Sequence, residues 1–176
     1  MTIKLYHATH TRSLRVLWLL EEMGLEYDLK KVDLKMGDTG GAEYAAINPL
    51  QKVPSIEVGG SLMQESTAIL EFVATKFGGK ELLVAEDHPD YGRFLQWMHG
   101  GESGFGMYLS VFFGHTMLLP EKDRNKAMAG LGRRQFAKVV AAIGKRVRSP
   151  PLYCSRQVYH CRHFSGLYCL WFELGW

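Results

Sequence analysis

Along the first half of the chain, apolar positions change their spacing several times, and each change marks an element. Ile3–His7 reads as a short strand. After the polar stretch 9–13, Leu14, Leu17, Trp18 and Leu25 follow helical spacing, and Gly24 supplies a C-terminal stop. Residues 26–32 read as a second strand. A glycine-rich loop, 36–41, precedes a short helix over 42–46. Residues 53–58 form a third strand opened by Pro54, and Gly59-Gly60 turns the chain into a fourth, Ser61–Gln64. Residues 66–77 make an amphipathic helix with Ile69, Leu70, Val73 and Phe77 on its apolar face, ended by Gly78-Gly79. The predicted order is β-α-β-α-β-β-α. Its first crossover suits a parallel βαβ unit, and its last two strands a hairpin.

After Asp90 the strand signals vanish. Residues 91–99, 107–117 and 121–146 read as helices, with Phe94, Leu95, Trp97, Met98, Tyr108, Leu109, Phe112 and Phe113 on apolar faces. The expected organisation is an α/β domain over 1–80, a linker over 81–89, and an all-α, incomplete domain over 90–176. Its last part, 147–176, is atypical.

Composition narrows the function without naming it. Hydrophobic residues make up 47% and charged residues 22%, ordinary values for a globular chain. A formal charge of +3, spread along the chain, gives no footprint for nucleic acid. No apolar run is long enough to span a bilayer and the start carries no signal-peptide pattern, so the expectation is a cytoplasmic protein with no membrane partner. Cys154, Cys161 and Cys169 all lie near the end and form no Cys-x-x-Cys, which disfavours dithiol redox chemistry.

Three local motifs carry more. The first runs from Tyr6 through His7, Thr9, His10, Thr11, Arg12, Ser13 and Arg15 to Gly24 and Tyr27: a strand, a polar loop and a helix. The second is Asn48-Pro49-Leu50-Gln51-Lys52-Val53-Pro54, and the third is Gln64-Glu65-Ser66-Thr67-Ala68-Ile69. In this order and spacing they resemble the soluble glutathione transferases, bacterial and fungal serine-type members in particular. The family shows N-P-x-G-K-V-P and E-S-x-A-I at the second and third places. The resemblance covers residues 1 to about 146.

It implies a thioredoxin-like first domain that binds glutathione as co-substrate, with no metal. It also implies conjugation of the glutathione thiolate to a small hydrophobic electrophile, and a homodimer. A cis Pro54 would leave the backbone of Val53 to pair with glutathione as an added strand. Glu65 would take the γ-glutamyl ammonium. Ser66, at a helix start, would take its carboxylate, although a Ser there is also a plain cap. Lys52 would neutralise the glycyl carboxylate or stay solvated. A free thiol has a pKa near 8.5, so activation requires a donor to the sulfur anion, helped by a helix N-terminus. Thr11 holds the position of the family's serine, with Ser13 two residues on; Thr11 is equally suited to cap the helix. Tyr6 reads as a core-facing strand residue, Arg12 and Arg15 as surface or ion-pair residues, and His7 as incidental. His10 and Tyr108 are the candidates for the electrophile site, which the resemblance puts between the domains. Other readings use the same motifs: a module that holds glutathione or a protein without turnover, or a glutathione-dependent peroxide or disulfide reductase.

The tail departs from this pattern. Where the resemblance implies a loop and a helix opened by a capping box, the chain is suddenly rich in Cys, His and Tyr. Back-translating 156–166 and reading one base downstream yields D-R-F-T-I-A-D-I-S-V, which contains the box. The expectation is therefore a frameshift near Arg148. The group Cys154, His160, Cys161 and His163 fits no standard zinc spacing.

Overall fold

The computed structural model describes residues 2–35 and 37–147. The readings placed on the tail, its shifted frame and its Cys/His group, lie outside the described residues. The chain divides between Leu83 and Val84 into two units, a point inside the 81–89 stretch.

In the first unit the elements follow the predicted order, with β2, β3 and α3 shorter than predicted and α2 longer: β1 (Ile3–His7), α1 (Ser13–Glu22), β2 (Tyr27–Lys31), α2 (Gly41–Ile47), β3 (Ser55–Val58), β4 (Ser61–Gln64) and α3 (Ser66–Lys76). One sheet runs β2-β1-β3-β4. β1 is parallel to β2 and antiparallel to β3, and β3 and β4 form the hairpin. β3 starts at Ser55 rather than at 53 because the ladder with β1 begins at the pair Tyr6 and Ser55.

The alternation of β1 sorts its side chains between two faces. Ile3 and Leu5 join Val16 and Leu20 of α1, Ile56 of β3, and Ile69 and Val73 of α3, all at 1% exposure or less. Burial of each such side chain stabilises the domain by about 2 kcal/mol. Tyr6 is buried, as expected, and its ring lies 5.4 Å from that of Tyr44 of α2. The buried face of α1 is Ser13, Arg15, Val16, Leu19 and Leu20, whereas Leu14, Leu17 and Trp18 are half-buried. The run from Leu14 to Leu20 is apolar on nearly every side, so spacing left the phase of the helix open.

In the second unit the predicted helices 91–99 and 107–117 join into one helical stretch: α4 (Tyr91–Gly100), a π-helical segment Gly101–Gly106, α5 (Met107–Phe113) and a second π-helical segment Gly114–Leu118. The predicted helix 121–146 is divided into a 3-10 turn, Glu121–Asp123, and α6 (Lys126–Val147). The break falls at Asn125, whose Oδ1 accepts the N–H groups of Ala127 and Met128 and so starts the helix afresh. Phe105, Leu109 and Phe136 form the core, with Trp97, Tyr108, Phe113 and Val139 against it. α6 approaches α5 closely at Gly132: a Cβ there would lie 2.7 Å from the Tyr108 carbonyl oxygen and 2.8 Å from the Phe112 nitrogen.

Candidate functional site

The sheet register brings four parts of the first unit to one edge. β1 ends at His7 and leads into the loop before α1. β3 runs antiparallel to β1, so its start, with Val53 and Pro54 just ahead, lies beside the end of β1. β4 ends at Gln64 opposite Ser55 and leads directly into α3. The N-termini of α1 and α3 therefore meet at the strand start. A side-chain bond joins them: Arg15 Nη1 donates to Ser66 Oγ at 3.1 Å.

At α1, Thr11 and Ser13 are linked to the end of β1. Thr11 Oγ1 donates to the Ala8 carbonyl at 2.7 Å and lies 2.6 Å from Ser13 Oγ. Ser13 Oγ is 2.8 Å from His7 Nδ1 and 3.1 Å from the Ala8 carbonyl oxygen. Ser13 Oγ accepts the Ala8 N–H at 3.2 Å, and Thr11 Oγ1 accepts the Ser13 N–H at 3.3 Å. Thr11 Oγ1 thus takes up the N–H of the first residue of α1. It is half-buried, whereas Ser13 has no exposure at all. Ser13 is enclosed by its contacts with the end of β1. His7 is buried, and its ring is held below the usual imidazole range, by burial first and by Lys31 second; its contact with Ser13 acts in the opposite sense. His10, next to Thr11, is exposed at φ 58°.

At the second motif the Val53–Pro54 bond is cis. Val53 is half-buried and precedes the first laddered residue of β3. Behind it, buried Asn48 accepts the Leu50 N–H and donates through Nδ2 to the Lys52 carbonyl at 2.8 Å, which also receives the Tyr44 hydroxyl at 2.8 Å. The Lys52 side chain is exposed. Gln51 stands where the family pattern has glycine and takes φ 48°, a left-handed conformation that favours glycine. Its Nε2 donates to Asp38 Oδ1 and to the Thr39 carbonyl, both at 3.1 Å, which holds the residue in place.

At the third motif Glu65 is exposed at φ 69° and precedes α3 without a side-chain cap bond. Ser66 is the first helical residue and is buried. Its hydroxyl accepts from Arg15 Nη1. Arg15, read as a surface or ion-pair residue, is not at the surface: it is 4% exposed between the two helix starts. The available signal was its spacing of four from buried Leu19, which puts it on the inward face. Tyr108 lies in the second unit, half-buried against the Phe105, Leu109 and Phe136 cluster.

Comparison with known proteins fits this geometry. Residues 1–75 match the family described as "Glutathione S-transferase, N-terminal domain". The chain is 34% identical over 144 residues to Glutathione S-transferase hmp2 of Hypomyces subiculosus; the match covers 81% of this chain but 64% of that protein, less than two thirds of its length. Among solved structures it is similar to a glutathione transferase from Methylococcus capsulatus, with a TM-score of 0.80 at 23% identity over 98% of this chain and 83% of that one. It is also similar to the theta class glutathione S-transferase from Xanthomonas axonopodis pv. citri with glutathione bound, with a TM-score of 0.75 at 23% identity over 97% and 83% of the two chains. At these identities the structures speak for the thioredoxin-like fold alone. Residues 1–75 therefore make up a glutathione S-transferase N-terminal domain.

Proposed function

We propose that the first unit binds glutathione across the sheet edge described above and presents its thiol at Thr11 for conjugation to a small hydrophobic electrophile. The observation that carries this reading is the convergence of two helix N-termini, those of α1 and α3, on the strand start at Val53. Each N-terminus favours an anion. One would face the thiolate and the other the γ-glutamyl carboxylate, while an extended cysteinyl unit pairs with the Val53 backbone. Ser66, oriented by Arg15, would receive the carboxylate, and exposed Glu65 the ammonium. Exposed Lys52 is in reach of solvent for the glycyl carboxylate. His10, exposed beside Thr11, is the residue of this unit assigned to the electrophile. For thiol activation Thr11 is preferred to Ser13, because Ser13 is fully enclosed.

A second reading, binding without turnover, draws support from the Thr11 proton, which is engaged with the Ala8 carbonyl. Retention on immobilised glutathione, followed by conjugation of an aryl halide, separates the two. Retention with turnover that falls in Thr11→Ala and persists in Ser13→Ala supports the enzyme. Retention without turnover supports the binding module, and absence of retention refutes both. Sedimentation of the same material tests the homodimer that the family resemblance implies.

A further inference from the structure

The hydroxyl chain beneath Thr11 contains more contacts than its two hydroxyls can bridge. Three short contacts run in series: Thr11 Oγ1 to the Ala8 carbonyl at 2.7 Å, Thr11 Oγ1 to Ser13 Oγ at 2.6 Å, and Ser13 Oγ to His7 Nδ1 at 2.8 Å. Each needs one proton. A carbonyl cannot donate, so Thr11 spends its proton on Ala8. Ser13 has two acceptors, Thr11 Oγ1 at 2.6 Å and the Ala8 carbonyl at 3.1 Å, and the shorter contact takes its proton. The third proton has to come from His7, whose Nδ1 therefore carries hydrogen. The remaining acceptor capacity is used as well, because the Ala8 N–H points to Ser13 Oγ and the Ser13 N–H to Thr11 Oγ1.

We propose that His7 is a positioning residue: as an Nδ1–H donor it directs the Ser13 proton to Thr11 and the Thr11 proton away from Ser13, so that the proton of Thr11 is the one available to the glutathione sulfur. This rests on the assignment of Thr11 in the proposed function. Turning the Thr11 proton from the Ala8 carbonyl to the sulfur is a rotation about one C–O bond, after which the 2.7 Å contact with Ala8 has no proton and lengthens. The thiol proton leaves to solvent, and the sulfur anion accepts the Thr11 hydrogen bond. With Nδ1 bare, Ser13 would donate to His7, and the 2.6 Å contact would draw the Thr11 proton inward to fully buried Ser13 instead of to the Ala8 carbonyl. Burial and Lys31 both disfavour a charged ring, so the donor is the neutral Nδ1–H tautomer.

Two measurements test this. The first is ¹⁵N NMR of the histidine rings in the unmodified protein, with the His7 signal assigned by its absence from His7→Asn. A protonated Nδ1 is expected, and a bare Nδ1 overturns the proposal. The second is the pKa of the bound thiol, read from thiolate absorbance in the glutathione complex. His7→Leu removes the donor and should raise that pKa by about one unit, a tenfold loss of thiolate below it. His7→Asn keeps an N–H near the Nδ1 position and should restore most of the effect. In a Thr11→Ala background, His7→Leu should add nothing. An unchanged thiol pKa in His7→Leu overturns the proposal, as does a His7→Asn protein that loses as much as His7→Leu. If the unmodified protein is not retained on glutathione, the proposed function fails instead. Retention combined with insensitivity to His7 refutes the positioning role alone.

Discussion

Gly130 and Gly132 lie two residues apart on α6, yet an added methyl group should act in opposite directions at the two positions. In a helix interior, Gly→Ala gains about 1 kcal/mol from reduced backbone entropy. At Gly130 the new Cβ would meet only Arg134 Nη1 at 3.3 Å, the end of a side chain that can swing away. Most of the gain should survive there. At Gly132 the Cβ would lie 2.7 Å from the Tyr108 carbonyl oxygen, 2.8 Å from the Phe112 nitrogen and 3.2 Å from the Phe112 Cα. The closest contact is about 0.8 Å inside ordinary van der Waals distance. Backbone atoms cannot rotate away, so α5 and α6 would have to separate, loosening Phe105, Leu109 and Phe136. Overpacking of this kind costs about 1–3 kcal/mol, which exceeds the helix gain. The two variants should differ by about 2 kcal/mol. Thermal unfolding followed by far-UV circular dichroism should put Gly130→Ala above the parent protein and Gly132→Ala several degrees below it. A Gly132→Ala protein as stable as the parent would refute the close approach of the two helices.

Other expectations follow from the first unit. Asn48→Ala removes the group that ties Leu50 to Lys52; it should cost about 2 kcal/mol and weaken glutathione retention, as urea unfolding and column binding would report. Lys4→Met breaks a half-exposed ion pair with Glu57 at 2.8 Å and should change stability by less than about 0.5 kcal/mol, which chemical denaturation can check. His7 titrates below its ordinary value of 6.5, so the unfolded chain binds more protons just below that pH. The neutral ring's contribution should be complete above about pH 6.5 and decline as pH falls through the folded value; His7→Asn should flatten that part of a stability–pH curve. Tyr27, hydrogen-bonded to Glu21, is pushed up to about 12. Phenolate absorbance should detect its ionisation at a lower pH in Glu21→Gln.

The sheet and its helices could be read from spacing because each element of the first unit announces itself locally, through alternation, a glycine stop or a two-glycine turn. The loop–strand motif around Val53 and Pro54, and the Glu65-Ser66 helix start, were local in the same way. Part of what escaped was set by partners further along the chain. Arg15 is buried because Ser66, 51 residues away, accepts from it. His7 became significant only when the turn after β1 brought Ser13 back to its ring. The start of α6 was missed because the polar stretch before it contains a cap, Asn125, that resembles ordinary loop composition. The π-helical segments were missed because their residues read as ordinary helix.

The hydroxyl chain, the Arg15–Ser66 bond and the ties around Lys52 all lie within Met1–Leu83. The geometry that would grip a thiol peptide therefore draws none of these contacts from beyond residue 83. Under the proposed function, changes downstream of residue 83 would leave every one of these thiol-side contacts with its partner.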